Sequence, residues 1–208
     1  MKILITAGPT RERIDAVRFI TNRSTGKMGY AIAEAAVEAG HEVTLISGPT
    51  SLNIPQHLMF IPVESAAEMA ESVKEYAPES DAVIMTAAVA DYRPVEIAPG
   101  KIKKGDNDLL LRLERTEDIL AGLGKVKKKN QILVGFAAES DDLEIYAKDK
   151  LKRKNLDYIV ANDISQTDRG FGSDNNAVIV FSAAGEHTEI PLDSKKNIAE
   201  SLLKLIFS

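Results

Sequence analysis

The stretch ITNRSTGKMG, residues 20–29, sets an asparagine, three hydroxyl side chains, two glycines and a lysine just ahead of a helical pattern. A glycine-rich turn feeding a helix N-terminus suits an anion, because the first backbone N–H groups have no partner within the helix and the helix dipole favours negative charge. Phosphate is the first ligand the stretch predicts. The same residues also fit a plain helix start, with Ser24 or Thr25 as N-cap and Gly29 allowing close helix–sheet packing. Two further basic runs bear on that choice. KIKK (101–104) falls in a long loop, and KDKLKRK (148–154) falls on a helical pattern where Lys150 and Lys154 share a face. KVKKK (125–129) stands at a helix end, where cations suit the dipole, and reads as solvated surface. Among the carboxylates Asp91 stands out because it follows a buried-strand pattern, although a turn or capping aspartate fits that place too. His41, His57 and His187 lack metal-ligand spacing and are assigned no chemistry.

Generic phosphate motifs do not account for these residues. A dinucleotide fingerprint ending on Gly26 and Gly29 would start at Ser24 instead of glycine, and no acidic residue or arginine follows the second strand in LISGPTSLNIPQH. A P-loop would need glycine at Thr21 and a hydroxyl at Met28.

The elements that must position these side chains alternate along the chain. Apolar, β-rich runs (KILITA, HEVTLIS, LMFIPV, DAVIMTAAV, a run near DLLLRLE, QILVGFAAE, DYIVAND) are interleaved with helical patterns (GYAIAEAAVEAG, SAAEMAESVKEYA, EDILAGLGKVKKK, EIYAKDKLKRKN). Continuous apolar strands are buried on both faces, which predicts an α/β fold: a doubly wound, mostly parallel, Rossmann-like sheet with helices on each side. AVIVFSAAGEHTEIPL breaks the rhythm and predicts an antiparallel hairpin turning at Ala184 and Gly185, with a last helix from Ser194. In such a sheet ligands bind beyond the carboxyl ends of the strands. Three loops there are long: Gly8 to Thr25, the segment from Asp91 to Asn107, and the segment after DYIVAND. The first runs to roughly 17 residues where about 2–6 are usual.

Composition narrows the class. The 208 residues are 44% apolar, enough for one domain over 1–208 with a sizeable core. A net charge of -5 argues against a general nucleic-acid binder. The absence of cysteine removes disulfides and thiolate chemistry and favours the cytoplasm. No leader or membrane-length apolar run is legible.

Taken together and in order, VRFITNRSTGKMG, AAVADYRP, KIKK, VGFAAES and KNLDYIVAND…GFGSDNN resemble the phosphopantothenate–cysteine ligase family over nearly the whole chain. The resemblance implies a ligase that joins L-cysteine to 4′-phosphopantothenate with CTP through an acyl cytidylate, usually with Mg²⁺ or Mn²⁺. It implies a homodimer, and in many bacteria fusion to a flavin-dependent decarboxylase. By position, Asn22 resembles the asparagine that holds the acyl intermediate, Arg18 the arginine beside it, and Lys101 the lysine needed to form it. For the nucleotide the resemblance points to Met85, Thr86, Ala87, Asp91, Glu117, Asp118, Ile119, Leu120, Phe136, Lys150 and Lys154, with Ser24, Gly26 and Lys27 near the triphosphate. Metal ligands are not indicated. Thr116-Glu117 departs from the family's usual asparagine- or threonine-proline pair before the aspartate. Two other classes stand beside this reading: an NAD(P) oxidoreductase, which lacks its fingerprint, and an idle scaffold domain, which would have no use for Asn22 and Lys101.

Overall fold

The computed structural model describes residues 1–105, 107–139, 143–163 and 173–207. The sheet is built as the apolar runs require. Strands β1 (Lys2–Ala7), β4 (Glu42–Ser47), β5 (Met59–Pro62), β6 (Ala82–Met85), β9 (Ile132–Glu139) and β10 (Tyr158–Asp163) run parallel, and β11 (Asn175–Ser182) and β12 (His187–Ser194) continue the sheet antiparallel. The spatial order is β12-β11-β10-β9-β6-β1-β4-β5. After β1 the chain winds one way to β4 and β5, then returns to the other side of β1 with β6. The sheet therefore has a switch point between β1 and β6. Every residue of β6 is buried, as expected for a central strand covered on both faces.

Helices α1 (Lys27–Glu38) and α5 (Lys195–Ile206) cover one face, over Ile3, Ile5, Ile84, Val134, Val160 and Val178. Helices α2 (Ala66–Tyr76), α3 (Ile119–Val126) and α4 (Leu143–Arg153) cover the other, over Leu4, Ile46, Val83, Leu133 and Ile159. Alternation along each strand sends neighbouring residues to opposite cores. Serines cap two of the helices: Ser194, where the sequence predicts the start of the last helix, accepts from the Asn197 N–H at 3.2 Å, and Ser65 accepts from the Glu68 N–H at 3.2 Å. The predicted hairpin turns with Gly185 at φ 91°, its N–H donating to the Ser182 carbonyl. No helix among the described residues is long and apolar enough to cross a membrane.

Three local expectations are corrected. Helix α1 is capped by neither Ser24 nor Thr25: its N-cap is Gly26, at φ 79°. A Cβ there would stand 2.7 Å from Thr50 Cγ2 and 3.2 Å from Gly8 Cα, so tertiary contact selects glycine. The loop after β1 holds a small hairpin, β2 (Arg11–Arg13) with β3 (Phe19–Thr21). The DLLLRLE run contributes only β8 (Leu113–Arg115), paired antiparallel with β7 (Tyr92–Pro94) outside the main sheet, and Leu109 to Leu111 stay exposed. The expected loop after β10 falls mostly outside the described residues.

Candidate functional site

The loops after β1 and β6 are sewn together at the switch point. The Ala88 N–H donates to the Gly8 carbonyl at 2.9 Å, the Ala90 N–H to Thr10 Oγ1 at 2.9 Å, and the Thr86 hydroxyl to the Thr6 carbonyl at 2.5 Å. Asn22 reaches across this seam, its Nδ2 donating to the Ala88 carbonyl at 2.9 Å. Thr116 secures the far side by donating its hydroxyl to the Ala90 carbonyl at 2.6 Å. Above the seam opens a cleft of about 820 Å³, within the size range of small-molecule sites.

Every residue the sequence reading nominated lines this cleft except Arg18 and Lys101. Gly29 explains how α1 comes so close. A Cβ there would lie 2.4 Å from Thr86 Oγ1 and 2.6 Å from Ala7 Cβ, so only glycine lets the first helical turn rest on β1. Asp118 is the N-cap of α3, accepting the Ala121 N–H at 3.0 Å, and it pairs with Lys154 at 2.8 Å. Burial pushes the Asp118 carboxyl up, but the Lys154 ammonium and the Ala121 N–H outweigh it and hold the carboxyl below its ordinary value. Glu117 pairs with Lys74 at 2.7 Å, and Lys27 with Asp174 at 2.6 Å.

Arg18 and the segment carrying Lys101 are held together outside the cleft lining. The buried Asp15 carboxylate accepts N–H bonds from Val17 (2.8 Å), Arg18 (2.8 Å) and Ile102 (3.0 Å), and takes the Arg18 guanidinium at 2.5 Å. Arg18 also donates to the Ile102 carbonyl at 3.1 Å. The Arg18 guanidinium, joined by those three N–H groups, overcomes burial and holds the Asp15 carboxyl well below the usual carboxylate range. Asp15 thus clasps the β2–β3 hairpin to the loop carrying Lys101. In the basic run at the end of α3, read as solvated, Lys127 is instead mostly buried and bonds both Asp157 carboxylate oxygens at 2.9 Å.

The sequence reading missed four residues. Asp15 has a faint signal, standing three before Arg18. Asn162 and Asn176 sit in strand alternation beside inward-facing Val160 and Val178, where an asparagine is out of place. Lys195, the first residue of α5, is nearly fully buried. Asn162, Asn176 and Lys195 all line the cleft. Among the described residues no three His, Asp or Glu side chains converge as a metal site.

A parallel sheet whose lysine-walled cleft opens at the switch point, beyond the strand carboxyl ends, places the chain in the doubly wound α/β class. Within that class, the chain belongs to the DNA/pantothenate metabolism flavoprotein C-terminal domain family, whose model matches residues 1–208. The coenzyme A biosynthesis bifunctional protein CoaBC of Bacillus subtilis (strain 168) is 56% identical over 205 residues, covering 98% of this chain and 50% of that protein. Its counterpart in Escherichia coli (strain K12) is 46% identical over 207 residues, with 98% and 50% covered. The chain spans about half the length of the curated relatives it matches. A crystal structure of the C-terminal domain of CoaBC superposes with a TM-score of 0.85 at 50% identity, covering 99% of this chain and 93% of that one.

Proposed function

We propose that this domain is a phosphopantothenate–cysteine ligase that uses CTP. The observation that carries the reading is the cleft itself: the residues nominated by resemblance, Arg18 and Lys101 apart, converge there from separate elements, with Asn22 pinned to the seam at Ala88 and Lys150 and Lys154 in the same lining. In the first step a carboxylate oxygen of 4′-phosphopantothenate attacks the α-phosphorus of CTP. The bond to the β-phosphate breaks and pyrophosphate leaves. In the second step the cysteine amine attacks the acyl carbon, the acyl–oxygen bond breaks, CMP leaves, and the amine gives up a proton.

Such chemistry asks for positioned cations and N–H donors more than for a nucleophilic side chain. Lys101 and Arg18, on segments joined through Asp15 and Ile102, suit the meeting of two anions, and Asn22 suits the acyl phosphate. Ser24, Gly26 and Lys27, at the α1 N-terminus, suit the triphosphate. The lining offers Asp91 as a carboxylate that would help hold Mg²⁺ or Mn²⁺ beside the nucleotide. When bound, the metal supplies charge neutralisation on the polyphosphate. A homodimer would cover apolar side chains that stand exposed around the β7–β8 arm, Ile97, Leu110 and Leu113 among them. Fusion to or association with a flavin-dependent decarboxylase, and a cytoplasmic setting, belong to the same reading.

The test is nucleotide-dependent stabilisation followed by kinetics. CTP with Mg²⁺ raises Tm while NADH does not, and CTP exceeds ATP in kcat/KM by about tenfold, or about 1.4 kcal/mol. Stabilisation by NADH alone would transfer the cleft to the oxidoreductase class, and equal use of CTP and ATP would remove the base assignment while leaving the ligase.

A further inference from the structure

The floor of the cleft holds polar groups that the fold itself does not use. Asn176 is 1% exposed, and among the described residues neither its amide nitrogen nor its oxygen finds a hydrogen-bond partner. Asn162 Oδ1 is likewise buried and unpartnered. Burying such groups unpaired is costly, so their persistence in an ordered core calls for a partner that arrives from outside.

Their surroundings specify its charge. Asn162 pairs in register with Val178, and Asn176 lies two residues along the same strand, so both face the side of the sheet covered by α1 and α5. Those two helices begin at the cleft with lysines, Lys27 and Lys195. Lys195 donates its ammonium to the Ser173 carbonyl at 2.6 Å, and Lys27 pairs with Asp174, whose carboxylate is largely exposed. Burial lowers the Lys195 pKa, the neighbouring Lys27 charge lowers it further, and Asp174 opposes both. Two cations, the N–H groups at the start of α1 and a buried amide therefore converge on one place.

We propose that Asn176 and Lys195, with Lys27 and the α1 N-terminus, form a phosphoryl subsite on the cleft floor, and that Asn176 is a specificity-determining residue there. The amide donates to phosphate oxygens, and its carbonyl and that of Asn162 accept from bound water or from ligand N–H and O–H groups. The ligase reading supplies two sources for this phosphate, the leaving pyrophosphate of the nucleotide and the phosphate ester of phosphopantothenate. The inference rests on that reading only for the choice between them.

Calorimetric titration of the full chain with inorganic pyrophosphate tests the subsite without turnover. Asn176→Leu and Lys195→Gln each weaken pyrophosphate binding by about tenfold or more, as expected for hydrogen bonds to a charged group. Exposed Lys196→Gln leaves it unchanged. Asn176→Leu removes an unpaired buried amide at similar volume, so its ligand-free Tm is no lower than wild type; should it fail to fold, Lys195→Gln carries the test. Parallel titrations with CTP and with phosphopantothenate identify the source by which one weakens. Wild-type pyrophosphate affinity in both variants, or an equal loss in Lys196→Gln, overturns the subsite. Pyrophosphate binding that depends on Asn176 and Lys195 in a chain that binds neither CTP nor phosphopantothenate sustains the subsite and sinks the ligase reading instead.

Discussion

Replacing Gly29 by alanine tests whether helix α1 must touch β1 for the cleft to exist. The added Cβ would meet Thr86 Oγ1 at 2.4 Å and Ala7 Cβ at 2.6 Å, where ordinary contact begins at 3.4 Å, so α1 must retreat by about 1 Å or Thr86 must turn away. Turning breaks the Thr86 hydroxyl bond to the Thr6 carbonyl. Overpacking costs about 1–3 kcal/mol and the broken bond about 1 kcal/mol, against about 1 kcal/mol gained from alanine's helix propensity. The net loss is about 2 kcal/mol, or a Tm lower by about 4–8 °C for a chain of this size. Thermal unfolding of Gly29→Ala beside Gly100→Ala, whose Cβ would meet nothing within 4 Å, isolates the contact. Pairing Gly29→Ala with Ala7→Gly should return part of the loss, since the two sites share one contact. Retreat of α1 also displaces its N–H groups, and a shift of that size is expected to lower kcat/KM by up to about 10²-fold. A Gly29→Ala Tm at or above wild type would refute the close-approach reasoning.

Three further outcomes follow from the seam and the Asp15 clasp. Asn22→Asp sets a carboxylate oxygen 2.9 Å from the Ala88 carbonyl in place of a donor, so it is expected to release pyrophosphate yet form little phosphopantothenoylcysteine; normal product turnover would remove Asn22 from the second step. Lys101→Gln is expected to lower pyrophosphate formation itself by on the order of 10²–10³ with cysteine omitted, and near-wild-type release would return Lys101 to the status of a solvated cation. Asp15 has its folded pKa depressed chiefly by Arg18, so its stabilisation is fully present above the unfolded value of about 3.9 and is lost as pH falls through the folded value. Asp15→Asn is therefore less stable than wild type at neutral pH, and the Tm difference narrows below about pH 4; a difference that stays constant on acidification would contradict the clasp.

What the sequence made legible was whatever depends on short-range pattern. Strands buried on both faces leave unbroken apolar runs, so KILITA and DAVIMTAAV announced a parallel sheet and, with it, the edge where the cleft lies. Ser194 and Gly185 act through neighbours within a few residues and were equally readable. Groups whose partners lie far along the chain were not. The left-handed Gly26 is selected by Gly8 and Thr50, Asp15 by Ile102, and Lys127 by Asp157. The basic pattern alone could not tell Lys154, in the cleft, from Lys127, locked against a strand end.

The cleft reconciles an acidic chain with an anion site. With a net charge of -5 the chain as a whole does not favour phosphate, so attraction for an anion must come from the local field of the cleft's cations. The cations of the cleft are held close to carboxylates: Lys27 by Asp174, Lys154 by Asp118. Such partly exposed pairs contribute little to folding, so exchanging a carboxylate for a phosphate oxygen forfeits little. Lys195 differs because it is buried and shares its surroundings with a second cation, so an arriving anion relieves unfavourable charge there. Selectivity then rests on groups that cannot be exchanged away. The backbone N–H groups of α1, fixed by Gly29, and the unpaired amide of Asn176 read a phosphate by position, and neither depends on the net charge of the chain.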